Sequence, residues 1–264
     1  MFKSIVSITV YLLAFLMYSG HAVAVAAVHH DLNVHLNPVL GVLTVQDKVT
    51  LPRNTSSLEF ILHGDLSIQP DTGYSLRTIE RWQSDVPVTM YRLTLKSEQK
   101  SITLNYSGKI NHVPRAASSD YARQDHWSPA IISDEGVFLS GTSLWYPDMG
   151  DYLHTFNMQI DLPDGWTAVS QGLAVPGKKN SWQENLPQEE IYLVAGRYHV
   201  YEKPGSTALA QVFLREPDQS LAEQYLSVTE QYIDLYGRML GEYPYGKFSL
   251  VENFLQTGYG MPSF

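Results

Sequence analysis

Leu32-Asn33-Val34-His35-Leu36-Asn37-Pro38, followed by Leu43-Thr44-Val45-Gln46-Asp47-Lys48-Val49-Thr50-Leu51, decides the fold. Apolar residues recur at every second position, which is the period of a strand with one buried face. Asn37-Pro38 stops the first run, and Pro52 is expected to end the second. Outward from this pair the alternation returns over residues 58–62, 90–95, 102–106, 136–139, 155–162, 167–170, 191–200 and 209–214. Strands of this kind, separated by Pro, Gly, Asn and Asp turns, predict a mainly β chain folded as an antiparallel β-sandwich. Each one-sided strand must bury its apolar face against a second sheet. Residues 113–135 and 176–187 lose the alternation and read as polar loops, the first long enough to carry function.

The period changes after Pro217. Leu221, Tyr225, Val228, Tyr232, Leu235, Tyr236 and Met239 recur at spacings of three and four, predicting a helix over 220–240. Ser220 and Glu223 are placed for a capping box, Gly241 for a left-handed C-terminal cap, and Pro244 as the stop. The tyrosine stripe is expected to pack in a core against a following strand at 248–254. A helix and strand after a run of strands mark the start of a second domain.

Composition narrows the function. With 264 residues the chain can bury a substantial core. A net charge of −9 without any Lys/Arg cluster argues against a nucleic-acid partner. Residues 1–24 read as a secretory signal peptide: Lys3, an apolar run over 5–18, and the small-x-small site Ala22-Val23-Ala24. The run is shorter than the roughly 20 residues a membrane span needs, so no integral span remains after cleavage. The expected location is exported, periplasmic or secreted. The absence of cysteine leaves stability to the core alone.

Few residue groupings carry chemistry by themselves. His29, His30 and His35 do not share one strand face. Asp125-His126 and Asp134-Glu135 lie in the polar loop without metal-ligand spacing. His63, His112, His154 and His199 stand isolated in the sequence. Ser140-Gly141-Thr142-Ser143 is a turn, lacking the strand-turn-helix context of a nucleophile elbow. The terminal Gly258-Tyr259-Gly260-Met261 reads either as a turn shaped by its glycines or as an edge that admits another backbone.

Four segments together resemble the aminopeptidase-N-like (gluzincin) zinc metallopeptidases. They are Tyr146-Pro147-Asp148 with His154-Thr155-Phe156 and residues 160–172, then Tyr192-Leu193-Val194-Ala195-Gly196-Arg197-Tyr198, then residues 242–251, and Gly258-Tyr259-Gly260-Met261. The resemblance implies a saddle-like β-sandwich over 25–205. Residues 206–264 are then the incomplete beginning of a thermolysin-like α/β catalytic domain. By the same resemblance Gly258, Tyr259, Gly260 and Met261 match the family's substrate loop. The family's zinc ligands, His-Glu-x-x-His and a later Glu, lie beyond that loop and have no counterpart here. Catalytic and metal residues are therefore expected to be none in this chain, and peptidase activity absent from it alone. Zinc and a peptide or protein substrate are implied for the intact parent.

The departures from the family pattern are specific. Pro262-Ser263 stands where the family has Glu-Asn, so the carboxylate that holds a substrate ammonium is missing. No second anchoring acid is evident over 136–145, with Glu135 the nearest. The parent is therefore either an aminopeptidase relative with weakened amine recognition or an endopeptidase or divergent hydrolase of this family. The alternative reading is a non-catalytic periplasmic β-sandwich interaction module, or a decayed gene product whose helix exposes its apolar stripe.

Overall fold

The computed structural model describes residues 26–112, 115–116, 126–255 and 260–264. The segment read as a signal peptide, Asp125, Gly258 and Tyr259 lie outside them. The opening alternation forms β1 (Ala27–Asn37), and the chain returns through Gly41 into β2 (Val42–His63). Gly41 sits at φ +67°, a conformation that costs glycine little. The strands pair antiparallel, with Val34 opposite Val45 and Leu36 opposite Leu43. Those residues are buried while Asn33, His35, Thr44 and Gln46 face water.

Pro52 does not end β2. The ladder to β5 (Pro87–Lys109) shifts register between Thr50 and Ser57 and then resumes. Pro52 falls in that irregular stretch, where its missing N–H costs no ladder bond. Segments that read as four separate strands are thus two long bulged ones.

The larger sheet runs β12 (Leu173–Ala174), β13 (Ser181–Gln188), β10 (Leu153–Asp161), β1, β2, β5 and β3 (Leu66–Ile68), with β4 (Tyr74–Gln83) also on β5. Its pairing is antiparallel except that β1 and β10 run parallel. The smaller sheet is β11 (Thr167–Ser170), β14 (Leu193–Gly196), β9 (Val137–Leu139) and β8 (Ala130–Ile132). Between residues 113 and 135, a two-residue ribbon of β6 (Arg115–Ala116) and β7 (His126–Trp127) precedes β8, so that region is not all loop. The two sheets share one core: Leu32, Val34, Val45, Leu104 and Tyr106 with Phe138, Leu139, Ala168, Leu193 and Trp145. Each such Val, Leu or Phe side chain contributes roughly 1.5–3 kcal/mol on full burial.

The expected loop at 176–187 is also corrected, because its second half is β13. Trp182, Glu184 and Gln188 face inward while Leu186 faces out, so polar residues occupy the buried positions and hide the alternation. Gly172, at φ +74°, lets the preceding turn press on this strand. A Cβ there would lie 2.0 Å from the Gln183 carbonyl oxygen.

A three-stranded sheet follows, in the order β15 (His199–Pro204), β16 (Leu209–Leu214), β17 (Lys247–Val251). β16 and β17 are parallel, joined across α1 (Gln219–Leu240) in a βαβ crossover. The helix N-cap is Asp218, which accepts from Leu221 N at 2.9 Å. The expected Ser220–Glu223 box is not the cap, since the Asp218 carboxylate two residues earlier already takes the Leu221 amide. Gly241 has φ 106° and ψ 170°, so the expected left-handed cap is absent. The helix buries Ala222, Leu226 and Thr229, with Ala222 and Leu226 packed on Ala210, Val212 and Leu214. Small residues let it approach the sheet closely. Tyr225, Tyr232, Tyr236 and Met239 are instead 42–67% exposed. The three tyrosines line an open apolar groove of about 850 Å³ with Tyr243, Pro244, Phe248 and Leu250, not the closed core expected from their spacing.

Histidines isolated in sequence meet inside the sandwich. His30 Nδ1 donates to buried Asp47 at 2.8 Å, and its Nε2 lies 3.2 Å from His154 Nδ1. Asp65 N–H donates to His63 Nδ1, so His63 Nε2 donates to His112 Nε2 at 2.7 Å. Burial, and then the neighbouring imidazole, lower His63 to about 4 and His154 to about 3. The unfolded chain holds these protons below about 6.5 and the folded chain does not. Stability is therefore full above that pH and falls as pH drops toward 4, by up to ~1.4 kcal/mol per pH unit for each proton. Urea midpoints measured from pH 7 to 4 should fall accordingly, with a shallower slope in His63→Gln. Gly172→Ala should lower stability by about 2 kcal/mol or more at any pH, read from the same unfolding curves.

Candidate functional site

The described end of the Gly-rich segment, residues 260–264, lies across the junction between the sandwich and the β15–β17 sheet. Phe264 N–H bonds back to Met261 O at 3.3 Å, closing a tight turn in which Ser263 takes φ +61°. Gly172 N–H donates to Ser263 O at 3.0 Å. Ser249 N–H of β17 donates to Phe264 O at 3.0 Å. This strap thus takes up a hydrogen-bonding position on the β17 edge. Met261 is half-buried against the sandwich core. Gly260 is exposed, with open space where a Cβ would point, so packing does not demand glycine there.

Beside the strap lies a cavity of about 350 Å³ lined by Leu153, Gln171, Pro187, Gln188, Glu189, Glu190, Tyr192, Tyr245 and Pro262. The sandwich supplies most of this wall, while Tyr245 and Pro262 close the other side. Gln171 fixes the backbone of the 190–192 segment: its Nε2 donates to Glu190 O at 2.7 Å and its Oε1 accepts from Tyr192 N at 2.8 Å. Glu190 Oε2 accepts from Gly141 N at 2.9 Å. That bond requires glycine at 141, since a Cβ there would stand 2.7 Å from the Glu190 side chain. Glu189 has no hydrogen-bond or ion-pair partner among the described residues. Two carboxylates and no cation line the cavity, so it presents negative potential.

This arrangement can hold a positively charged or hydrogen-bonding group. It does not supply a nucleophile paired with a base. Among the described residues no group of three His, Asp, Glu or Cys side chains is placed to hold a metal ion. The buried His30, His63 and His154 and the half-buried His112 are committed to paired hydrogen bonds, and His35 bonds outward to Asp161. The donor sets among the described residues therefore do not fit a catalytic zinc, which takes three converging protein ligands.

Of the predicted loop residues, Gly260 and Met261 belong to the strap, and neither lines the cavity. Pro262, singled out as a departure from the family pattern, does line it. Residues 136–145 bring no acid to the cavity, but the Glu190 carboxylate reaches that stretch from 49 positions away through its bond to Gly141. Glu135 is exposed in a turn. A contact across that distance leaves no spacing signal in the sequence. Glu189 and Glu190 were legible only as an acidic pair before a strand.

No family model matches the sequence, and no curated protein matches it. Solved structures do resemble the fold. An M1 zinc metallopeptidase from Deinococcus radiodurans, solved as a mutant bound to a Tyr-Ser-Ala substrate, superposes with a TM-score of 0.56 at 13% identity. The match covers 86% of this chain and 56% of that one. A structure of the Deinococcus M1 zinc metallopeptidase without a stated substitution gives 0.55 at 14% identity, with the same coverage. An aminopeptidase N family protein from Idiomarina loihiensis gives 0.51 at 12%, covering 84% of this chain and 38% of that one. The chain thus spans little more than half the length of the Deinococcus structures, and at these identities the likeness is one of fold. The mainly β architecture is that of the N-terminal β-sandwich region of M1 zinc metallopeptidases of the aminopeptidase N family.

Proposed function

We propose that the chain is the N-terminal portion of an exported zinc-metallopeptidase-like protein, supplying one wall of a peptide-binding cleft. Residues 25–205 are its sandwich domain and 206–264 the opening of its catalytic domain. Peptide hydrolysis, and the zinc it needs, belong to the intact parent. The single observation that carries this reading is the likeness over 86% of the chain, which continues from the sandwich into further structure. The cavity at the strap supports it chemically. Pro262 brings no carboxylate to the rim, and the sandwich brings Glu189 and Glu190 instead. A peptide's ammonium or a basic side chain meets its negative charge there, and a charge-assisted hydrogen bond of this kind is worth roughly 1.5–3 kcal/mol.

The test uses residues 25–264 and the tripeptide Tyr-Ser-Ala, with and without N-terminal acetylation, followed by NMR titration. We expect no hydrolysis, and weak binding of the free amine that perturbs Gln171, Tyr192 and Tyr245. The double variant Glu189→Gln, Glu190→Gln should weaken it by about tenfold, ~1.4 kcal/mol. Equal binding of free and acetylated peptide, untouched by the variant, would move the chain to the alternative of a non-catalytic β-sandwich interaction module. Chelator-sensitive hydrolysis by residues 25–264 would overturn the assignment of catalysis to the parent alone.

A further inference from the structure

Lys247 begins β17 and is only 1% exposed. Its Nζ donates to Ser263 O at 3.0 Å. It lies 5.2 Å from the ring centroid of Trp182 and 5.1 Å from that of Phe264, within cation–π range of both. Ser263 Oγ donates in turn to Glu184 Oε2. Glu184 is 4% exposed, and its other oxygen accepts from Leu186 N at 2.8 Å. A buried lysine of one sheet and a buried carboxylate of another are therefore joined through a strap residue.

An ammonium held away from water destabilises its own burial. Burial lowers Lys247 to about 7, with the Glu184 carboxylate pulling the opposite way. The groups around it are few. β13 presents Glu184 and the Trp182 ring, and the strap presents Ser263 O and the Phe264 ring. The Tyr243 hydroxyl bonds to Lys247's own carbonyl at 3.2 Å, and β16 places Leu209 alongside. Among the side chains of these neighbours Glu184 carries the charge. The Nζ hydrogen bond and one of the two ring faces belong to the strap. When the strap lifts, Lys247 meets water and regains an ordinary amine's affinity for protons, near 10.4.

We propose that residues 260–264 form a proton-linked latch, closed over Lys247 and loosened by acidification, which sets the position of Pro262 at the cavity rim. The latch rests on its own geometry; only its consequence for peptide binding rests on the reading above. The sign follows from proton counting. Between about pH 7 and 10 the closed form holds fewer protons than the open form. Raising pH therefore favours closure by up to about tenfold per unit, and below 7 the dependence levels off.

Hydrogen exchange of the whole chain, corrected for intrinsic base catalysis, tests this between pH 6 and 9. Protection of the Gly172 and Ser249 amides, both bonded to the strap, should climb by up to about tenfold per unit above pH 7. The Val34 and Val45 amides of the central sheet should stay level. Lys247→Met keeps an apolar stem without the titrating group and should hold protection high with no climb. Glu184→Gln keeps an acceptor for Ser263 but removes the charge, and should start the climb at lower pH. A flat wild-type profile, a climb that persists in Lys247→Met, or a parallel climb at Val34 and Val45 each overturns the latch. If Lys247→Met does not fold, the onset in Glu184→Gln decides: an onset at the wild-type pH rejects the proposal. Failure of the peptide reading would appear separately, in the tripeptide titration.

Discussion

The rest of the structure depends on β1 being paired on both sides while one of its faces is sealed by a second sheet. Every second side chain of β1 must then enter the core, whatever its chemistry. Val28, Leu32, Val34 and Leu36 satisfy that demand with apolar surface. His30 cannot, and its burial is tolerated because Asp47 arrives on β2 with an acceptor and His154 on β10 with a second nitrogen. A buried polar group without such partners costs several kcal/mol. The histidine contacts are the compensation for placing a polar residue in a strictly alternating slot. They also make the sandwich sensitive to acid, since burial, and then the neighbouring His30 ring, hold His154 well below an ordinary imidazole's affinity for protons.

How far the fold was legible follows from which side of each strand meets water. β1, the first part of β2, and β10 alternate cleanly because one face is buried and the other solvated. β4 is largely exposed on both faces, so no period marks it. β13 buries Glu184 and Gln188 and exposes Leu186, which inverts the pattern. Pro52 looked like a terminator because its ladder irregularity is invisible without the partner strand. On α1 the tyrosines suggested the buried face, yet Ala222 and Leu226 are the residues that lie against the sheet, while the tyrosine stripe turns toward the groove. Size and polarity indicate which residues seek burial. They do not indicate which face a given neighbour reaches.

The candidate site was legible in one half. The glycine-rich end and its departure at Pro262-Ser263 stood out as residues, and the strap they form meets the sandwich. The other half, Gln171, Glu189 and Glu190, arises from contacts that join distant positions. Gly141 and Glu190 form one such pair, each shaping the space the other needs. Ser263 turns its hydroxyl inward to Glu184 while Pro262 faces the cavity. The strap thus spends its hydrogen-bonding capacity on the junction and leaves charge in the cavity to the sandwich.

The parallel pairing of β1 with β10 has a consequence for how the chain acquires its structure. Thr155 meets His29 across 126 positions of sequence, and closing a loop of that size costs chain entropy before any contact offsets it. Until residues 153–161 are available, β1 is paired only on its β2 side, and its other side is an open strand edge even when β2 to β5 have already paired. Such edges pair readily with other chains. Topologies dominated by distant pairings fold slowly, so the interval in which that edge stands open is long. The strand that organises the finished sandwich is, during folding, its most aggregation-prone surface.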